Sequence, residues 1–198
     1  GEAAEEPIIE VERIYYRNDP IILGSPPFKA PNDSTYYMNL FGGLMMQTEL
    51  ERIGVPDVRG VYFHDIGGRM FVVVSIKQRY AGHSTQAALQ ATELASQGGF
   101  AGRYTVVVDE DIDITDLKDV VWAMCTRSDT VSDIDIVRRA RSTPIDPLIR
   151  KPARSYSQSK AIIDACKPFD WKDEFPRVVS SSPEMLDAIR KKWKSLFP

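Results

Sequence analysis

The stretch FVVVSIKQRYAGH, residues 71–83, decides the fold that we predict. Phe71–Ile76 is almost entirely apolar and mostly β-branched, which is typical of a strand buried on both faces, because a half-exposed strand alternates polar and apolar residues. The strand ends in Lys77, Arg79 and Tyr80, and a glycine turn then opens a helix. Strand carboxyl ends and helix N-termini both favour anionic ligands. The stretch therefore indicates either an anion site or a pair of solvated charges beyond a strand end.

Strands and helices alternate on both sides of this stretch. A second continuous apolar strand is predicted at 103–108, with further strands at 58–64 and 133–137 and an apolar segment at 159–166. The order strand, helix, strand, helix, strand indicates right-handed βαβ units. We therefore predict an α/β fold with a mainly parallel sheet and helices on both of its faces.

Helical periodicity gives the flanking elements. Asp33 or Ser34 is expected to cap a first helix, in which Gly42 and Gly43 require a close packing partner. One face of this helix carries Tyr37, Leu40, Phe41, Leu44 and Met45. Thr115 is expected to cap a later helix.

The C-terminal end of the sequence predicts an amphipathic helix. Ser182 is its expected cap, followed by a proline and an acidic residue in the first turn. Its apolar stripe consists of Met185, Ile189, Trp193 and Leu196. Such a stripe packs either on the core of its own domain or on a partner.

The sequence divides into a lead-in and one domain. Residues 8–16 alternate in polarity, which indicates a strand or an extended linker. We assign residues 1–33 to a lead-in from a missing N-terminal domain and 34–198 to one α/β domain. The basic, proline-containing stretch 138–154 is predicted to be an irregular surface or pocket loop.

Composition excludes several classes of protein. The 198 residues carry a formal net charge of −3, which argues against general nucleic-acid binding. Two cysteines make neither a disulfide framework nor a zinc site, and Cys125 is predicted to be a small buried hydrophobe on a helix face. No apolar run reaches the roughly 20 residues that a membrane span needs, and no signal peptide opens the chain. We expect a cytoplasmic protein.

Acidic residues and histidines are the other candidates for chemistry. The cluster of Asp109, Glu110, Asp111 and Asp113 is compatible with a Mg²⁺ site, or with acids that precede a helix N-terminus, and we favour the second interpretation. Neither His64 nor His83 has the spacing of a metal motif. We expect His83 to cap or line the helix start.

Several stretches, taken together and in order, resemble the C-terminal half of the UbiD family, the decarboxylases that use prenylated flavin mononucleotide. They are VSIKQRYAGH at 74–83, VVVDEDID at 106–113 with VVWAMCTR at 120–127, and TPID at 143–146 followed by SK at 159–160 and IDA at 163–165. The segment YRNDPI at 16–21 is similar to the one by which the family enters this half. The match runs over most of the chain.

The resemblance implies a site shared between two domains. In the family the cofactor lies between an N-terminal flavin-binding domain and this C-terminal domain, which also dimerises. Lys77 matches the lysine that reaches the cofactor phosphate, and Tyr80 matches a residue at the same pocket edge. Thr143 and Ile145 align with residues that line the substrate side. The resemblance also implies Mn²⁺ and K⁺ ions at the cofactor, bound by the missing N-terminal domain.

The sequence departs from the complete family pattern in one respect. The Glu-Arg-Glu catalytic constellation and the Glu-Gly-Pro signature of the N-terminal half are not found, so we assign no catalytic residue and no metal ligand to this chain. The first functional hypothesis is the C-terminal part of a decarboxylase of an aromatic or α,β-unsaturated acid, inactive on its own. In such enzymes the flavin bonds transiently to the substrate, CO₂ leaves and a glutamate reprotonates carbon. The alternative is a non-catalytic binding or oligomerisation module with the same fold.

Overall fold

A computed structural model describes residues 7–22, 24, 29–97, 102–143, 146–149 and 156–194. Within them the strands and helices follow in a fixed order, with one short 3₁₀ turn before β2 and another after β5. The elements are α1 (Asp33–Arg52), β1 (Val58–Phe63), β2 (Phe71–Ile76), α2 (His83–Gln97), β3 (Tyr104–Asp109), α3 (Leu117–Arg127), β4 (Ile134–Arg141), β5 (Ser157–Ala165) and α4 (Pro183–Lys192).

The five strands form one sheet in the order β1-β2-β3-β5-β4. The three central strands run parallel, and each edge strand is antiparallel to its neighbour. This confirms the predicted α/β fold with a mainly parallel sheet. The prediction that β3, α3 and β4 form a parallel βαβ unit is wrong. β4 is antiparallel to β5, and the parallel neighbour of β3 is β5.

Helices cover both faces of the sheet, as predicted. Side chains of α1 and α2 pack with one face of β1 and β2, in a cluster that includes Leu50, Phe63 and four alanines of α2. On the opposite face Val120 and Ala123 of α3 pack against β3 and β5. β2 has no exposed residue, since burial falls on both of its faces.

The buried side of α1 is the side that carries its glycines. Helix α1 is capped by Asn32, whose side chain accepts a hydrogen bond from the backbone N–H of Thr35 at 3.0 Å, and not by Asp33 or Ser34. A Cβ on Gly43 would lie 2.3 Å from the Val61 carbonyl oxygen, which confirms the close packing partner. The predicted apolar face points away from the sheet and is exposed at Tyr37, Leu40, Phe41, Leu44 and Met45. Backbone-to-strand contact, which only small residues permit, therefore sets the orientation of α1.

Three other predictions are corrected. Asp116 caps α3 in place of Thr115, because its carboxylate accepts from the N–H of Lys118. Cys125 is exposed, since α3 buries the face of Val120 and Ala123 instead. The stretch 138–154 is not irregular throughout, because β4 continues to Arg141. Residues 144–145 and 150–155 lie outside the described residues.

The two ends of the chain are the least packed. Residues 7–22 form no regular element and are exposed, as an extended linker would be. The predicted C-terminal helix is confirmed, with Ser182 accepting from the N–H of Met185 at 3.2 Å. None of its residues is buried, and Leu196 lies outside the described residues.

In the described part of the chain, no helix combines the length and the apolarity that crossing a membrane requires.

Candidate functional site

Lys77 is the first residue beyond the carboxyl end of β2. Its backbone N–H donates to the carbonyl oxygen of Asp57 at 3.0 Å, while its side chain is exposed. The next residue, Gln78, is buried, and its Nε2 donates to Asp109 Oδ1 at 2.7 Å and to the Lys167 carbonyl oxygen at 2.9 Å. The backbone that carries Lys77 is therefore tied to the ends of β3 and β5, whereas the ammonium group faces solvent.

The turn from β2 to α2 is held by a second set of contacts. Arg79 forms an ion pair with Asp57, and the hydrogen bond from Arg79 lowers the pKa of that carboxyl. The hydroxyl of Tyr80 donates to Gln86 Oε1 at 2.5 Å, and its ring lies 4.8 Å from the ring of His83. The Tyr80 side chain is therefore held against the first turn of α2. His83 lies at the start of that helix, where it was expected.

An open cleft of about 270 Å³ lies at the carboxyl ends of β2 and β3. Its lining residues are Ile76, Lys77, Gln78, Asp109, Glu110, Asp111, Lys167, Lys172 and Asp173. Lys77 lines this cleft and Tyr80 does not. At about 270 Å³ the cleft lies at the lower end of the roughly 300–1,000 Å³ of pockets that enclose a small molecule, and it is open to solvent.

Asp109 and Asp111, two of the four acids that line the cleft, are already paired. Arg127, a buried arginine, donates to both carboxylate oxygens of Asp111 at 2.8 and 2.9 Å and approaches Asp109 at 3.3 Å. Lys167 Nζ donates to Asp111 at 2.7 Å. Burial raises the pKa of Asp111, but the hydrogen bonds and charges of Arg127 and Lys167 outweigh burial and lower it to about 2.

Asp113 belongs to the helix approach, as the favoured interpretation of the acidic cluster predicts. Its Oδ1 accepts from the backbone N–H of Thr115 at 2.9 Å and from the Thr115 hydroxyl at 2.7 Å. Among the described residues, no group of three or more histidine, cysteine, aspartate or glutamate side chains has the arrangement of a metal site.

A half-buried carboxylate, missed from the sequence, lies beside the same carboxyl ends of the strands. Asp164 of β5 accepts a hydrogen bond from the Ser84 hydroxyl and another from the Cys166 N–H at 3.0 Å. Burial raises the pKa of Asp164 and that of the Cys166 thiol. The IDA stretch at 163–165 is the sequence signal that could have identified it, since an acid inside an apolar strand needs a partner.

Lys77 lies at the carboxyl ends of the three parallel strands, which we call the carboxyl edge of the sheet. Thr143 lies at their amino ends, which we call the amino edge. β4 is antiparallel to β5, and Arg141 at its end pairs with Ser157 at the amino end of β5. Thr143 is buried, and its hydroxyl has no hydrogen-bond partner among the residues that the structure describes. Ile145 lies outside the described residues. The structure therefore does not bring Thr143 to Lys77, and the substrate-side assignment of Thr143 and Ile145 stays a prediction.

A buried polar cluster closes this amino edge. Asp146 accepts from Arg103 at 2.5 Å, from the Ser142 hydroxyl at 2.9 Å and from the N–H of Leu148 at 3.0 Å. Lys160 is 3% exposed and donates to the Thr92 carbonyl oxygen at 3.0 Å. Arg103 begins a strand that the sequence predicts, whereas Ser142 and Asp146 could not be assigned to this end of the sheet from the sequence, because the direction of β4 decides their position.

The comparison with protein families agrees with the resemblance. The model of the 3-octaprenyl-4-hydroxybenzoate carboxy-lyase C-terminal domain matches residues 36–165, more than half of the 198-residue chain.

Solved structures with the same fold are UbiD-class enzymes and related decarboxylases. HmfF from Pelotomaculum thermopropionicum, in complex with FMN, is 29% identical with a TM-score of 0.63, over 75% of this chain and 32% of that one. The 3,4-dihydroxybenzoic acid decarboxylase AroY of Klebsiella pneumoniae is 25% identical with a TM-score of 0.67, over 83% of this chain and 34% of that one. An evolved dimeric form of HmfF in complex with prFMN is 27% identical with a TM-score of 0.52, over 72% of this chain and 27% of that one.

The chain spans about a third of the length of these relatives. The domain match, which covers most of the strands and the Lys77 edge, confirms the resemblance seen in the sequence. The chain belongs to the family of 3-octaprenyl-4-hydroxybenzoate carboxy-lyase C-terminal domains, which form the C-terminal part of UbiD-class enzymes.

Proposed function

We propose that this chain is the cofactor-closing and oligomerisation domain of a reversible decarboxylase that acts on an aromatic or α,β-unsaturated carboxylic acid with prenylated FMN. The observation that carries the proposal is the exposed Lys77 at one wall of an open cleft, in a chain that belongs to the UbiD C-terminal family. The acids of the relatives, such as 3,4-dihydroxybenzoic acid, are of the proposed class. The carboxy-lyase reaction would be a property of the longer enzyme.

The residues of the carboxyl edge fit one part of the cofactor. A compact ammonium group is suited to a phosphate, and such a contact is a charge-assisted hydrogen bond. In the described part of the chain, no acidic side chain lies within ion-pair distance of Lys77, whereas Asp109 and Asp111 are paired with Arg127. When bound, the prenylated flavin would supply the electron-accepting ring system for the loss of CO₂. Lys77 would hold its phosphate, and Tyr80, which lies outside the present cleft, would lie at the edge of the larger pocket that the N-terminal domain completes.

The second wall of the pocket is assigned to the N-terminal flavin-binding domain of the same enzyme. A cleft of about 270 Å³ open to solvent encloses too little of a flavin for tight binding. Decarboxylation also needs a positioned acid–base group, and we assign that group, with the Mn²⁺ and K⁺ ions, to the N-terminal domain. A cytoplasmic location stays a prediction.

We propose in addition that the domain self-associates into a homo-oligomer. Helix α4 leaves Met185, Leu186, Ile189 and Trp193 exposed, and the outward face of α1 is exposed as well. Exposed aromatic and aliphatic faces of this kind mark protein interfaces. Light scattering at tens of micromolar should give a mass above that of the 22.3 kDa chain, and a monomer would contradict self-association.

The test of the main proposal supplies prenylated flavin and a panel of cinnamic, benzoic and heteroaromatic acids to two samples. The full-length enzyme is expected to release CO₂ from at least one acid, and this chain alone is expected to release none above the no-protein control. CO₂ release by the chain alone, abolished in Lys77→Ala, would mean that the chemistry lies in this half. A full-length protein that carries no flavin and releases no CO₂ would support the alternative of a non-catalytic module.

A further inference from the structure

The imidazole of His83 lies at the centre of the turn that presents Lys77. His83 is the first residue of α2 and is fully buried, although its neighbours Lys77, Arg79 and Tyr80 are exposed. Its Nδ1 accepts a hydrogen bond from the backbone N–H of Arg79 at 3.3 Å. The exposed part of the turn is therefore anchored to a buried ring.

The contacts of the ring define its protonation state. Because Nδ1 accepts a hydrogen bond, the proton of the neutral ring is on Nε2. The Pro56 backbone lies near the ring and raises its pKa, although burial lowers that pKa by more, and Nε2 is buried without a hydrogen-bond partner among the described residues. The Tyr80 ring covers the imidazole at 4.8 Å with an angle of 36° between the ring planes. One side chain thus links the loop before β1, the turn and the start of α2.

The turn has two backbone anchors, one on each side of Gln78. The upstream anchor is the hydrogen bond from the Lys77 N–H to Asp57, and the downstream anchor is the hydrogen bond from the Arg79 N–H to His83. Gly82, at φ +83°, provides the left-handed conformation that lets the chain turn back to bring His83 under Arg79. Loss of the downstream anchor removes the backbone hydrogen bond that holds the turn after Gln78.

We propose that His83 is a positioning residue for anion binding: its Nδ1 fixes the Arg79 backbone so that the Lys77 ammonium group is held ready for a phosphate. The inference rests on the proposed function of Lys77 as a phosphate ligand. His83 itself touches neither the ligand nor the reacting atoms. Holding a long, flexible side chain near its bound position lowers the ordering cost that binding otherwise incurs.

Two substitutions separate the acceptor from the ring. In His83→Asn the amide oxygen can take the place of Nδ1, whereas in His83→Gln the longer side chain brings its amide towards the place of Nε2. The full-length enzyme carrying each variant is titrated with FMN and with riboflavin, which lacks the phosphate. We expect His83→Gln to raise the Kd for FMN about three- to tenfold relative to wild type, to leave the Kd for riboflavin unchanged, and His83→Asn to restore FMN affinity.

Lys77→Ala in the same titrations tests the phosphate site separately from the positioning role of His83. It is expected to raise the Kd for FMN about ten- to a hundredfold and to leave riboflavin binding unchanged. If Lys77→Ala weakens FMN binding while His83→Gln does not, the positioning role is wrong and the phosphate site stands. If Lys77→Ala has no effect, the phosphate site itself is wrong. Equal losses for FMN and riboflavin in His83→Gln would indicate general disruption and overturn the positioning role.

A measurement on the unaltered protein covers the case in which both His83 variants fail to fold. ¹⁵N spectroscopy of the histidine rings reports which nitrogen carries the proton. We expect Nδ1 of His83 to be unprotonated and Nε2 to be protonated at neutral pH. A proton on Nδ1 would rule out acceptance from the Arg79 N–H and overturn the proposal.

Discussion

The amino edge and the carboxyl edge of the sheet carry similar charged residues, but an aspartate and a lysine that are buried at the amino edge have exposed counterparts at the carboxyl edge. Each edge carries an arginine paired with aspartate, and each carries a lysine. At the amino edge Asp146 is 2% exposed and Lys160 is 3% exposed, so the charges are part of the interior. At the carboxyl edge the Asp111 side chain is 42% exposed and Lys77 faces solvent. Pairing at the amino edge closes the fold, whereas pairing at the carboxyl edge neutralises the acids and leaves a lysine available to a ligand.

The largest effect is expected from removing the carboxylate of the amino edge. Asp146→Ala leaves Arg103 without its ion-pair partner and removes the three hydrogen bonds that the Asp146 carboxylate accepts. Removing one partner of a buried pair costs about 3–5 kcal/mol in the free energy of unfolding. Urea denaturation measures the change, with Asp111→Ala as the matched substitution at the open edge. A loss below about 1 kcal/mol for Asp146→Ala would mean that the two edges do not differ.

The second effect concerns the buried lysine. Lys160→Ala removes three buried methylene groups, each worth about 0.8 kcal/mol, and leaves the Thr92 carbonyl oxygen without this donor. We expect a loss of about 2–3 kcal/mol in the free energy of unfolding. Lys160→Met keeps most of the apolar packing and removes the charge together with the hydrogen bond to Thr92, so it should lose less stability than the alanine variant. A loss in the methionine variant as large as in the alanine variant would show that the charge and its hydrogen bond stabilise the amino edge.

The sequence predicted the centre of the sheet better than its edges. Phe71–Ile76 and the β3 strand are continuous apolar runs, and burial on both faces follows directly from that pattern. The direction of β4 does not follow from the local pattern, because a strand after a helix can run either parallel or antiparallel to the strands already in the sheet. The position of Thr143 depended on that direction. An edge of a sheet is therefore assigned by long-range pairing, which local periodicity does not record.

The orientation of α1 and the partners of the acids illustrate the same limit. Five large apolar residues share one face of α1, but the contact between Gly43 and Val61 buries the opposite face. The place of Asp113 just before α3 followed from local spacing. The pairing of Asp111 with Arg127 did not, because it joins residues from different elements. Lys77 was assigned to the carboxyl edge because it directly follows a strand that the sequence defines.

A smaller effect is expected from acid titration of the open edge. The folded-state pKa of Asp111 is about 2, below the ordinary value of 3.8, so its contribution to stability is present above about pH 4 and is lost as the pH falls towards 2. For a side chain 42% exposed, solvent screening limits this contribution to about 1 kcal/mol. Unfolding free energies of wild type and Asp111→Asn, measured from pH 6 to pH 2 (a range of about four units), should converge at low pH. A constant difference across the range would contradict the ion pair.

The smallest effect on stability is expected at Lys77, and it is the sharpest test of the comparison. Because the Lys77 side chain is exposed and only its backbone is anchored, Lys77→Ala should change the free energy of unfolding by no more than about 0.5 kcal/mol. The same variant in the full-length enzyme should lose flavin during purification, which absorbance of the bound flavin measures. Lys118→Ala is the matched control, since Lys118 is an exposed lysine at the start of α3 that does not line the cleft. The two variants should unfold alike and differ only in flavin content. A Lys77 variant that keeps its flavin would remove Lys77 from the site, and one that loses about 2 kcal/mol or more of stability would make Lys77 a structural residue like Lys160.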